Sequence, residues 1–203
     1  MEHSELRQPI QKRAIAKKQK ILECGFNLMC EKGYYNVDCI EIAKASNVST
    51  GTVYQYFKDK RDIFLHGLRN YSDSILFPIL EYKDKKIKTN ELAVFFKKII
   101  NNNIKVHNLS KSAHEEIMSM RHIDSEVNKI FQEYEIEATN VLVEIFKNNN
   151  LETQNLKEKA HLIIAWMDNL CHEVAYHKHK ELNYDDMTNI VINEIVHILT
   201  KKD

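Results

Sequence analysis

Between Ser49 and Lys60 the chain crowds Thr50, Thr52, Tyr54, Gln55, Tyr56 and Lys60 into twelve residues, with Gly51 among them. These hydroxyl, amide and ammonium groups suit binding rather than bond breaking, because they donate and accept hydrogen bonds at base edges and phosphate oxygens. Small residues at a helix N-terminus let the backbone come close to a duplex, and the terminal amides attract phosphate. Gln55 can bond a base edge, Tyr54 and Tyr56 offer hydroxyls to phosphates or rings to thymine methyls, and Lys60 reaches the phosphate backbone.

Such groups must be carried on a short helix held from behind. Val53 and Phe57 recur at i, i+4 and point inward, which leaves Thr50, Thr52, Gln55 and Tyr56 outward, with Ser49 or Thr50 as N-cap. Upstream, Asp38 with Glu41 forms a capping box for a helix whose inner side is Ile40, Ile42, Ala43 and Ala45. Ser46, Asn47 and Val48 fit the tight turn between the two, with Asn47 left-handed and Val48 in the core. The pair is a helix-turn-helix, residues 37–60.

The run Ile42-Ala43, Val48-Ser49, Gly51 to Phe57 and Lys58-Asp59-Lys60, preceded by Gly33-Tyr34, resembles the DNA-binding domain of the tetracycline-repressor (TetR) family over the first third of the chain. The resemblance implies that Tyr54 and Lys60 touch phosphates while Thr50, Gly51, Thr52 and Tyr56 face the groove, and that Tyr54→Ala and Lys60→Ala weaken operator binding without unfolding the chain. Many family members carry Thr or Ser before the first helix of the motif. Asp38 and Cys39 stand there instead, which puts a phosphate contact at that point in doubt.

Composition agrees with an all-helical chain: 43% hydrophobic residues in 203, with four glycines and two prolines. Twenty-nine basic and 29 acidic residues cancel, which excludes a protein that coats nucleic acid or a membrane surface through bulk charge. The distribution is uneven, with twelve Lys/Arg against eight Asp/Glu over residues 1–70 and 17 against 21 beyond. The basic arm before Pro9 and the cluster Arg7, Lys12, Arg13, Lys17, Lys18 and Lys20 can lie along phosphates or enter a minor groove, or be a solvated tail and helix face. Cys24, Cys30, Cys39 and Cys171 form no CxxC pair, and no apolar leader or membrane-length run appears, so a cytoplasmic chain with free thiols is expected.

About nine helices are expected: a three-helix domain over 1–60 and a helical effector-binding and dimerisation domain over 61–203. Ile15, Leu22, Phe26 and Met29 mark the first helix, ended by Gly33. Asp59 caps the fourth, whose ladder Phe64, Leu68, Tyr71, Ile75 and Ile79 meets a kink or stop at Pro78; passing between domains, it is the expected lever. Lys83 to Asn90 reads as a solvated loop, Thr89 or Asn90 as the next cap, and Ser112 with Glu115 as a capping box. Asn148 to Asn150 read as a turn, with Asn155 and Asn183 starting the last two helices, at about 155–180 and 184–201. Both are apolar over a wide arc, as a partner surface requires, and the resemblance implies a homodimer through them.

No Gly-rich phosphate loop or catalytic triad signature is present, and no enzyme is expected. Asp168 and His172 at i, i+4, near Cys171 and with His161 behind, form the best metal cluster, but without HExxH or CxxC the reading is no metal and no cofactor. Phe95, Phe96, Met118, Met120, Tyr134, Trp166 and Met167 fit plain core by spacing. The resemblance turns part of that set, Phe95, Phe96, Met118, Tyr134 and Trp166 with His107 and Asn169, into the lining for a small apolar or aromatic effector of unknown identity. The resulting expectation is a ligand-responsive dimeric repressor of a palindromic operator, set against a helical small-molecule-binding or metal-dependent module that does not read DNA sequence.

Overall fold

The computed structural model describes residues 12–107, 111–151 and 153–201, with side chains for all of these but 75–78 and 106. The basic arm before Pro9 lies outside the described residues. Among them the chain is all-α, with α1 (Lys12–Lys32), α2 (Cys39–Ser46), α3 (Thr50–Tyr56), α4 (Lys60–Leu80), α5 (Leu92–Val106), α6 (Lys111–Ile123), α7 (Ser125–Asn148), α8 (Leu156–Tyr176) and α9 (Tyr184–Thr200). No helix there is long and apolar enough to cross a membrane.

Two compact units emerge, the first from Met1–Tyr71 and Leu109–Asn128, the second from Ser72–Asn108 and Lys129–Asp203. The first thus extends beyond residue 60, reaches into α4 and takes in α6. Its core is a stripe on α1 of Ile21, Leu22, Gly25, Phe26, Met29 and Cys30; Ile15, expected in that stripe, is exposed one and a half turns before it. Phe26 lies against Gly67 of α4, where an added Cβ would sit 2.4 Å from the ring. Phe64 meets Phe26 and Tyr34 at ring distances of 5.6 and 5.3 Å. α6 belongs to this unit through side chains no local pattern reveals: Glu116 Oε1 accepts the Tyr34 N–H at 2.6 Å, and Arg61 grips Asp124 with Nε at 3.1 Å and Nη2 at 2.9 Å. Arg61 Nη1 also reaches Glu126 at 2.8 Å. Asp124 in turn caps α7, accepting from the N–H groups of Glu126 and Val127. Ser112, expected as a cap, is the second residue of α6.

The second unit packs α8 and α9 against α5 and each other around Leu92, Phe96, Ile99, Ile100, Leu142, Ile145, Ile163, Met167 and Ile195. α4 continues two residues past Pro78 to Leu80. A short 3-10 turn, Thr89–Glu91, precedes α5, so Glu91 takes the cap position expected of Thr89 or Asn90. The lysine-rich segment before it is solvated but tied down. Asn148 and Asn149 donate to the carbonyls of Lys83 and Lys85, and Asn149 Oδ1 accepts the Ile87 N–H at 2.7 Å. The asparagine triple is therefore a turn, with Asn150 left-handed, and also a clamp.

Candidate nucleic-acid interface

The helix-turn-helix is built by its caps. Asp38 Oδ1 accepts from the N–H groups of Ile40 at 2.9 Å and Glu41 at 2.8 Å, starting α2. Asn47 ends it in the left-handed region at φ 56°, ψ 51°, a conformation whose cost Asn tolerates. Ser49 then caps α3, accepting from Thr52 N–H at 3.2 Å while its hydroxyl pairs with Thr52 Oγ1 at 2.9 Å. Asp59 and Asp62 bracket the start of α4: Asp59 Oδ1 accepts the Asp62 N–H, and Asp62 Oδ2 accepts the Lys58 N–H. On α2, Ile42, Ala43 and Ser46 face inward, whereas Ile40 and Ala45, expected on the inner side, are exposed. The helix phase set by Cys39, buried, and Ile42 turns those two to solvent.

α3 buries Val53 and, just beyond its end, Phe57 completely. Gly51, Tyr54 and Gln55 are exposed, Tyr54 at 51%, with Thr50 and Thr52 half-buried. Tyr56 departs from expectation. Only 4% exposed, it joins Val53 at i, i+3 on the inner face and cannot read a groove from there. Lys60 departs too. Its ammonium donates to the carbonyls of Tyr34 and Val37, both at 2.8 Å, and lies 4.6 Å from the Tyr34 ring centroid. That charge closes the segment between α1 and α2 from within. Lys58, exposed just past α3 in the Lys58-Asp59-Lys60 run, is the cation on the solvent side of the motif that spacing alone does not single out. The Tyr54 pKa is raised, first by the neighbouring Cys39 thiol.

Residues 21–66, from the buried stripe of α1 into α4, match the family model described as bacterial regulatory proteins, tetR family. Over that stretch the chain is similar to the tetR-family N-terminal domain. The tetR-family match covers α2, α3 and the Lys60 anchor, and so the whole capped geometry above. The HTH-type transcriptional regulator HbdR of Aromatoleum sp. (strain CIB) is 40% identical over 58 residues, 29% of this chain and 25% of that protein. The Fatty acid metabolism regulator protein of Bacillus subtilis (strain 168) is 27% identical over 120 residues, 58% of this chain and 62% of that one. In both cases the chain covers less than two thirds of the relative's length. A crystal structure of a putative TetR-family transcriptional regulator from Syntrophomonas wolfei has the same fold, with a TM-score of 0.67 at 23% identity over 92% of this chain and 96% of that one.

Outside residues 21–66, the expected effector residues are not alike. Phe95 and Phe96 are core, ring-packed against Tyr82 at 5.1 Å and Phe146 at 6.3 Å respectively. Trp166 and Tyr134 are half-buried against that core, Tyr134 donating its hydroxyl to Asp73 at 2.6 Å. Asn169 is exposed, because the face of α8 that buries Met167 and Leu170 turns it away. Met118 lies in the first unit, on α6.

The histidines are regrouped. His161, expected behind the Asp168–His172 pair, instead has its Nδ1 at 3.0 Å from Thr139 Oγ1. His107, from the C-terminal end of α5, joins the pair. Cys171 stays out of it, its thiol directed at the Ile100 carbonyl and pushed up to about 12, first by burial and then by the Asp168 carboxylate.

Proposed function

We propose that this chain is a dimeric transcriptional regulator, a repressor, that holds a palindromic operator through the exposed face of α3 and lets it go when a small effector binds its second unit. The observation that carries the reading is the outward presentation of Gly51, Tyr54 and Gln55, with Thr50 and Thr52 at their side, on a helix capped at Ser49 and buried through Val53 and Phe57. Tyr54 serves a phosphate, Gln55 a base edge, and Lys58 a second phosphate. Two such helices must sit about 34–36 Å apart to enter successive major grooves.

The dimer in this reading forms through α8 and α9. Both keep large apolar side chains in solvent, Leu162 at 51% and Ile190 at 60% exposed. Pairing these faces across a two-fold axis makes a four-helix interface. An apolar effector accords with the aliphatic and aromatic composition of the second unit and with the name of the fatty acid regulator that resembles the chain. An effector held more tightly by a conformer with a different α3 spacing lowers DNA affinity by its differential binding energy, and DNA lowers effector affinity by the same factor. α4, which runs from one unit into the next, is the connection. The role is binding in the cytoplasm, not catalysis.

Selection of duplexes from a random pool by the purified chain should return a near-palindromic sequence, bound with a steep loss of affinity as salt rises. Tyr54→Ala and Gln55→Ala should each weaken that binding. Binding that follows salt but prefers no sequence leaves only a helical small-molecule-binding module.

A further inference from the structure

His107 is 7% exposed, yet its Nε2 has no hydrogen-bond partner among the described residues. Its Nδ1 lies 2.6 Å from the Asn103 carbonyl, and a carbonyl can only accept, so Nδ1 carries a proton and the neutral ring has its lone pair on Nε2. A buried imidazole held in that tautomer by a backbone carbonyl is the arrangement that metal-bound histidines adopt, since the second bond fixes both ring orientation and basicity. Its neighbours are of the matching kind. Asp168 and His172, one turn apart on α8, place an Asp oxygen 3.4 Å from His172 Nδ1. The His172 ring stands edge-on to His107 with centroids 4.9 Å apart. One ligand atom from each of the three residues lies within 4.8 Å of the others.

We propose that His107, Asp168 and His172 form a binding site for a first-row divalent cation, zinc in particular, fastening the end of α5 to α8. Two imidazoles and a carboxylate are donors that zinc accepts, at bond lengths of about 2.0–2.2 Å. Tetrahedral ligands at that length stand about 3.4 Å apart, so the Asp168–His172 pair already has the needed span, and the three-residue set, within 4.8 Å, has to draw closer to match it. Three protein ligands leave a fourth position for water or an exogenous donor. Zinc also resolves the buried Nε2, which otherwise bears the desolvation cost of an unmet acceptor.

The test uses the full chain, stripped with a chelator and titrated with Zn²⁺ in competition with a chromogenic chelator, with Co²⁺ titrated separately for its visible absorption. One equivalent should bind per chain, with a Co²⁺ spectrum of nitrogen and oxygen ligation. Asp168→Asn and His172→Ala should each lower affinity by more than the roughly 10- to 100-fold that outer-shell changes cost, while His66→Ala leaves it unmoved. Affinity should also fall as pH drops and the imidazoles take up protons. Asp168 is exposed, so Asp168→Asn keeps the fold should a His107 variant not. Absence of stoichiometric binding overturns the proposal, and so does binding that both α8 variants leave intact. Neither outcome bears on DNA recognition, which these assays do not involve.

Discussion

Replacing Lys60 separates a structural ammonium from a DNA-binding one. In the structure its Nζ donates to two carbonyls at 2.8 Å, those of Tyr34 and Val37, from a half-buried position over the Tyr34 ring. A hydrogen bond to a charged group contributes about 1.5–3 kcal/mol net. Because water can reach part of this site after truncation, the lower end applies, and Lys60→Ala should cost about 2–3 kcal/mol in all. For a chain of this size each kcal/mol lowers Tm by about 2–4 °C, so a fall of about 4–12 °C is expected by circular dichroism. A phosphate contact leaves a different trace: its loss lowers the slope of log K against log salt by about 0.9 with little effect on Tm. Lys58→Ala, at an exposed position, should behave in that second way, its stability within about 0.5 kcal/mol of the parent. If instead Lys60→Ala melts with the parent and lowers the salt slope, the ammonium faces DNA and does not close the segment between α1 and α2.

Gly67→Ala should destabilise the first unit by about 1–3 kcal/mol through overpacking, because its Cβ would fall 2.4–2.5 Å from three Phe26 atoms; an unchanged urea midpoint would show that α1 and α4 do not approach so closely. Burial alone would raise the Asp124 pKa, but hydrogen bonds from the Val127 and Glu126 N–H groups and from Arg61 hold it below the usual carboxylate value. A lowered folded-state pKa stabilises above the unfolded pKa, and that contribution is lost as pH falls through the folded value. The Tm gap between the parent and Asp124→Asn should therefore close on acidification, and a constant gap from pH 7 to pH 3 would count against the ionised pair. An Arg61→Ala, Asp124→Ala double-mutant cycle should give a coupling of about 0.5–1 kcal/mol, discounted because Arg61 is 40% exposed. Ile190→Asp together with Leu162→Asp should shift the sedimenting species from dimer to monomer, and an unaltered dimer would move the interface elsewhere.

Local rules were sufficient where one side chain serves its own backbone. Asp38, Ser49, Asp59 and Asn183 cap the helices their positions announce, and Asn47 takes the left-handed turn. The same rules misplaced Ile40 and Tyr56, since in helices of eight and seven residues a small change of phase exchanges the two faces. They also assigned Lys60 to a DNA phosphate, because two carbonyls 23 and 26 residues upstream leave no mark near it.

Periodicity, caps and the Gly51-to-Phe57 run by themselves determined an all-helical chain with a short, capped helix presented for binding, because those signals act within a few residues of where they are written. Tertiary structure alone decided that Lys60 is an internal clasp, that α6 joins the first unit through Glu116 and Asp124, and that His107 rather than His161 meets Asp168 and His172. Each of these pairings spans tens of residues in sequence, so it exists only once helices from distant parts of the chain have packed and set their facing side chains together.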